Sequence, residues 1–400
     1  MIPENRYLFR APLLDPKQHV IGYRLAWQKN GPGSDISDAA DSQQLLAFVA
    51  GHVDEIKSGL FFLDANPALL SAQVLQTLSP ENTVLVLGRD GLLDAVDVDS
   101  AKSLHQRGFV LALRDADLAF LRANEAPLSC LTYVLVGAGH PDLTEISKFA
   151  RHRRPPFCVV ADKIPDWQAF DACASLGVCG VFENLCLAPH AMSPSVKLGP
   201  QARQILQLMQ MVQGDADIRN LEKVLKSDVA LAYKLLRYIN SAGFGLQVEI
   251  ESPRHAVAML GYSPLFRWLL LLLARTNSTV FSPALMQAAM VRGRFAELLG
   301  QGFLSRKEAD NLFVVGMFSF LDHLLGIPIQ EVLSQLVLPE PVVQALRSRE
   351  GVYGQVLALA EASEREGGGA ADFAEALSMT ATQVNQAHLS ALAWVQNIKL

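Results

Sequence analysis

The sequence predicts an α/β fold in its first half and an all-α fold in its second. Up to about Pro194, short continuous apolar runs alternate with helix-like stretches. From Pro200 on, apolar residues recur at spacings of three and four, the period of packed helices. Composition supports both halves. Half of the 400 residues are hydrophobic and 18% are charged, so the chain can bury a large core and holds enough residues for two ordinary domains.

The candidate strands are Phe61–Leu63, Thr83–Leu87, Phe109–Leu113, Tyr133–Val136, Phe157–Ala161 and Gly180–Phe182. Their apolar residues are continuous, as expected of strands buried on both faces. Helical patterns such as Asp166 to Cys173 lie between them. Repeated β-α units imply a parallel sheet, either a barrel or a doubly wound sheet.

In the second half, Ile205, Leu206, Met209 and Val212 mark one helix face. Leu221, Val224 and Leu225 mark the next, and Leu231, Leu235, Leu236 and Ile239 a third. Pro253, Pro264, Pro283, Pro328, Pro339 and Pro341 punctuate the helices. Gly367-Gly368-Gly369 is a flexible joint before a last helical segment, Ala371 to Leu400. The expected divisions are 1–195, 196–365 and 366–400, with no internal repeat.

Net charge is −6, and the acidic excess lies in the first half. No basic tract suits nucleic acid. Arg151-His152-Arg153-Arg154 is a short turn expected in solvent. The five cysteines are Cys130, Cys158, Cys173, Cys179 and Cys186; no two are spaced C-x-x-C, so free thiols in a reducing compartment are expected. The N-terminus, Met1 to Arg6, opens no signal peptide, and the longest apolar run, Trp268 to Ala274, is too short to span a bilayer. The expectation is a soluble, cytoplasmic protein without membrane insertion.

Asn240-Ser241-Ala242-Gly243-Phe244-Gly245 closes an amphipathic helix, Asp228 to Ile239, and Arg254 to Gly261 follows. This order resembles the signature of the HDOD domain, a helical relative of HD-type phosphohydrolases that lacks their metal ligands. Phe313 to Leu333 and Val337-Leu338-Pro339-Glu340-Pro341 share the resemblance, which covers about residues 196–365. Within the signature, Asn240 and Ser241 read as turn chemistry, with Gly245 and Gly261 as structural glycines; the other reading is a polar contact for a partner. Asp228 suits a helix N-terminus. The Trp268–Leu273 run reads as core.

A second resemblance opens the chain. Arg10-Ala11-Pro12-Leu13-Leu14-Asp15 and Val20-Ile21-Gly22-Tyr23-Arg24-Leu25 look like the start of an EAL domain, and Gly177 to Pro189 resembles its closing strand and loop. EAL domains are barrel phosphodiesterases that linearise cyclic di-GMP. The resemblance covers about residues 5–195 and implies a somewhat shortened (β/α) barrel. EAL followed by HDOD is a known bacterial pairing.

Metal-dependent phosphodiester hydrolysis needs several carboxylates at strand ends to hold hard cations. At the corresponding positions the resemblance places Arg24 for a glutamate, Asp64 for an asparagine (with Asn66 as the register alternative), and Val86 for a glutamate. Arg114-Asp115 stands for paired aspartates, Leu135 for a lysine, Asp162 for a glutamate and Phe182 for a glutamine. Arg24 and Arg114 are expected to pair with Asp64 or Asp115 and fill the vacated site. In the second half, Asp322-His323 reverses the HD order, and the doublet's position falls near Ser319-Phe320. His255 and His388 have no acid at ligand spacing. No metal or other cofactor is therefore expected.

Gly31-Pro32-Gly33 and Gly137-Ala138-Gly139 lack the context of a phosphate loop, and no G-x-S-x-G or His-Glu-x-x-His occurs. The expected function is that of a regulatory protein, not an enzyme, acting on unidentified signalling proteins around cyclic di-GMP. Two alternatives stay open: a sensor of cyclic di-GMP or another nucleotide, in which arginines meet phosphate without turnover, and a residual metal-dependent cyclic di-GMP phosphodiesterase; whether the chain forms a homo-oligomer is also open.

Overall fold

The computed structural model describes residues 6–28, 39–52, 59–66, 72–92, 95–124, 128–185, 199–240, 250, 252–274, 282–334 and 338–396. The chain divides into two units. One holds Met1–Ala188 and Leu359–Gln396, the other Pro189–Ala358 and Asn397–Leu400. Gly31-Pro32-Gly33, Cys186, Ser241, Gly245, Val337 and the boundary expected at 195 lie outside the described residues.

The first unit is a closed eight-stranded barrel in sequence order. Its strands are β1 (Leu8–Leu14), β2 (Val20–Trp27), β3 (Leu60–Asp64), β4 (Thr83–Gly88), β5 (Val110–Arg114), β6 (Tyr133–Gly137), β7 (Cys158–Asp162) and β8 (Gly180–Phe182). Neighbours from β2 to β8 are parallel, whereas β1 runs antiparallel to both β2 and β8. Six strands coincide with continuous apolar runs. The β1–β2 hairpin was not among them, because Arg10, Pro12, Gly22 and Arg24 interrupt its apolar pattern. Its turn is held by the Asp15 carboxylate, which accepts from the backbone N–H of Lys17 and His19, both at 2.8 Å. Gly22 lets β2 approach β3: a Cβ there would lie 2.7 Å from the Leu60 carbonyl oxygen.

Alternate residues of each strand face one side. The barrel interior is thereby filled by Leu13, Phe62, Val84, Val86, Ala112, Leu135, Val160 and Phe182. Phe62 meets Phe182 edge-to-face at 5.0 Å between ring centroids. The space is a packed core, as in other small barrels.

The chain's last helices belong to this unit. The segment expected as one helix from Ala371 is two, Ala370–Ala376 and Ala381–Gln396. Ser378 sits at φ 56°, and the Thr380 hydroxyl accepts from the Gln383 N–H, so the backbone turns between them. The second helix docks on β1: Asn385 accepts from Leu8 N–H at 2.8 Å and donates to the Arg6 carbonyl at 2.7 Å.

In the second unit, Pro200–Gln213, Ile218–Ser227, Val229–Ile239, Pro253–Leu260, Tyr262–Ala274, Pro283–Gly300 and Arg306–Phe318 are helices. Asp217, Asp228, Ser252, Ser282 and Ser305 cap five of them through side-chain oxygens. Trp268, Leu269, Leu270 and Leu273 are buried core. The helix foreseen from Asn311 to Leu321 starts five residues earlier, at a Ser305–Glu308 capping box, and stops at Phe318. Among the described residues, no helix is long and apolar enough to cross a membrane.

Candidate functional site at the barrel mouth

The strands β3, β5, β7 and β8 end on one rim, because parallel strands in register terminate together. Asp64 ends β3, Arg114 ends β5, Asp162 ends β7 and Phe182 ends β8. Asp115 follows Arg114 at φ 62°. Five of the expected site positions therefore share the mouth: Arg24, Asp64, Arg114, Asp115 and Asp162. The other three, Val86, Leu135 and Phe182, lie in the packed interior beneath it. Asn66 is exposed, two residues past the end of β3.

Arg24 rises from β2 and donates through Nη1 to Asp162 Oδ2 at 2.9 Å. Its Nη2 is 3.6 Å from Asp64 Oδ2. Arg114 reaches Asp64 at 3.5 Å and its neighbour Asp115 at 3.7 Å. Asp64 is thus shared by two guanidiniums and is 13% exposed, whereas Asp115 is 80% exposed. Burial works to lower the pKa of Arg24, but the charges of Asp64, Asp162 and Glu366 outweigh it and leave the pKa raised. Arg24 is therefore a fixed cation.

Two acids of this rim were not singled out from the sequence. Glu183 follows Phe182, and burial raises its pKa, with further upward pushes from Asp162 and Glu366. Glu366 comes from the segment before Ala370–Ala376. The position of Glu183 beside a strand end was a usable signal. Glu366 carried none, since nothing local ties it to a barrel strand.

A divalent cation does not fit this donor set. The guanidinium of Arg24 occupies the space between Asp64 and Asp162, and the residues below are Val86, Leu135 and Phe182, which have no ligand atoms. Among the described residues, no three His, Cys, Asp or Glu side chains converge as a metal site.

The second unit shows a similar filling. Near the expected doublet position, the buried Arg292 donates to Ser319 Oγ at 2.8 Å, and its guanidinium lies 3.7 Å from the Phe320 ring centroid. His323 pairs with Asp322 at 2.7 Å. In the signature turn, Asn240 donates to the Ile250 carbonyl at 2.8 Å and accepts from its N–H at 2.9 Å. Gly261 ends Pro253–Leu260 at φ 75°, where a side chain would be strained. Cys130, Cys158, Cys173 and Cys179 are free thiols.

Residues 198–329 match the family described as HDOD domain. The chain is 28% identical over 410 residues to the protein named cyclic di-GMP phosphodiesterase CdgJ of Vibrio cholerae serotype O1, covering 98% of this chain and 93% of that one. It is 22% identical to the uncharacterized protein YuxH of Bacillus subtilis, covering 98% of each. Among solved structures, the EAL enzyme Bd1971 in its cAMP-bound form is 12% identical with a TM-score of 0.37, over 46% of this chain and 62% of that one. The expectation that the chain is not an enzyme is corrected here, because a relative matching nearly its whole length is named a phosphodiesterase. That expectation rested on missing ligands alone. The chain carries an eight-stranded barrel and, at residues 198–329, a segment that matches the HDOD domain, the arrangement that the resemblance to EAL–HDOD proteins implies.

Proposed function

We propose that this protein acts in cyclic di-GMP signalling and that its barrel mouth engages the cyclic dinucleotide through phosphate. The supporting observation is the pair of guanidiniums, Arg24 and Arg114, converging on Asp64. Arginine's planar fork matches phosphate oxygens. Both guanidiniums are partly exposed, 24% for Arg24 and 35% for Arg114, so each has a face open to an anion. The name of the Vibrio cholerae relative supports the same ligand. The test is calorimetric titration of the full chain with cyclic di-GMP, with the linear product assayed in parallel. Saturable binding, weakened about tenfold or more by Arg114→Ala, is expected from loss of one charge-assisted contact. No binding and no product at millimolar ligand would remove the reading. Product formed by the wild type would extend the relative's named activity to this chain.

Action on partner proteins is a second reading. Tyr233 and Met259 are large apolar side chains of the HDOD unit, 64% and 53% exposed, on Val229–Ile239 and Pro253–Leu260. A partner cross-linked by the wild type but lost with Tyr233→Asp is the expected result; equal capture by both removes this reading.

A further inference from the structure

Arg24 stands where a cation of the mouth would have to stand. It lies 2.9 Å from Asp162 and 3.6 Å from Asp64, and Glu366 adds a third negative charge to its surroundings. Glu183 is close enough to Asp162 and Glu366 to feel both charges. Three carboxylates therefore gather round a side chain that cannot lose its proton in the neutral range, and Glu183 lies beside two of them. Such a group of acids is stable only if a positive charge offsets their repulsion. Arg114, bound to Asp64 from the β5 side, contributes a second one. A divalent ion entering between Asp64 and Asp162 would meet the Arg24 guanidinium already seated there, at contact distance and with like charge.

We propose that Arg24 is the resident cation of the barrel mouth, so that phosphate recognition there requires no divalent metal. The guanidinium balances the acids as a metal would, and with Arg114 it presents N–H donors to an anion. For its ligand the inference rests on the dinucleotide reading above; for its metal it rests on Arg24 alone.

Two titrations test it on the full chain. In the first, Mn²⁺ alone is added to the wild type, to Asp162→Asn and to Arg24→Gln, with binding read by calorimetry and electron paramagnetic resonance. The wild type is expected to take no stoichiometric Mn²⁺. One equivalent bound by the wild type and lost in Asp162→Asn overturns the inference. Arg24→Gln is expected to take up Mn²⁺ weakly between Asp64 and Asp162, two carboxylates that have lost the counter-charge between them. A folded Arg24→Gln that takes none also overturns it. If Arg24→Gln does not fold, the comparison of wild type with Asp162→Asn decides alone. In the second, cyclic di-GMP is titrated into the wild type in EDTA and in excess Mg²⁺. Affinities within about threefold of each other are expected, since the positive charge at the site is covalent. Binding at least about tenfold tighter with Mg²⁺ overturns the metal-free claim and leaves the dinucleotide reading standing. Absence of binding in both conditions removes the dinucleotide reading, and with it the phosphate part of the inference.

Discussion

Arg10 and His388 meet side chain to side chain in the barrel unit, with Nη1 and Nε2 2.5 Å apart across 378 positions of sequence. Arg10 lies on β1 and His388 on the last helix, Ala381–Gln396. On its other side Arg10 pairs with Glu364 at 3.1 Å, and all three side chains are buried. The neutral imidazole can accept from the guanidinium; a protonated one would set two positive charges against each other.

This contact makes the barrel unit acid-sensitive. Burial, then the charge of Arg10, holds the His388 pKa well below its ordinary value. In the unfolded chain the imidazole takes its proton near pH 6.5. Below that pH the unfolded state binds the extra proton and the folded state does not. Stability contributed by this group is therefore present above about pH 6.5 and falls as pH drops through the window beneath it. Thermal midpoints measured from pH 7.5 to 5 should decline, and His388→Gln should flatten the decline. An unchanged slope in the variant would show that His388 is not the group responsible.

Removing Arg10 should be costly for a different reason. Arg10→Ala removes the guanidinium paired with the buried Glu364 carboxylate, a loss of about 3–5 kcal/mol for such pairs. Urea unfolding of the variant checks this. Glu364→Gln in the Arg10→Ala background should recover part of the loss, because the buried negative charge is gone. A simple sum of the two single effects would contradict that account.

Cys158 and Cys179 are neighbours across the β7–β8 edge, where Cys179 N–H donates to the Val159 carbonyl at 2.8 Å. The Cys158 thiol, which donates a hydrogen bond to the Cys179 sulfur, is the main reason that the Cys179 pKa falls to about 7, while that of Cys158 is raised. Alkylation at Cys179, followed by peptide mass spectrometry against pH, should show a midpoint near that value. Cys158→Ala should move the midpoint upward. Identical profiles would break the link between the two sulfurs.

The HDOD unit depends on two glycines. At the crossing of Pro283–Gly300 with Arg306–Phe318, a Cβ on Gly316 would lie 2.6 Å from the Gly293 Cα and 2.7 Å from the Arg292 carbonyl oxygen. Both obstacles are backbone, so the helices themselves must separate. Gly316→Ala should destabilise the unit by about 1–3 kcal/mol or more, although alanine is the better helix former. A midpoint equal to the wild type's would mean the helices can part without cost.

The site was partly legible in sequence. The resemblance to EAL domains singles out Arg24, Asp64, Arg114, Asp115 and Asp162, and the structure brings them together because parallel strands place their C-terminal ends on one rim. The hairpin β1–β2 is not legible as strands, since its charged and proline residues mask the apolar alternation. Glu366 was not named either, because it reaches the mouth from the far end of the chain.

What the sequence by itself determined is the local order: β-α alternation, then helical period, with Asp228 and Asn240 bounding one helix. These follow from residues a few positions apart, where apolar spacing and capping chemistry act. The pairs of Arg24 and Arg114 with Asp64 are expected from the resemblance, but the tertiary structure alone decided the remaining charge pairs. Arg24 meets Asp162 across 138 positions and Arg10 meets His388 across 378. Such pairings depend on barrel closure and on the return of the last helix to β1, and no local preference encodes either. The mouth's character as a site with its own fixed cation is therefore a property of the closed barrel.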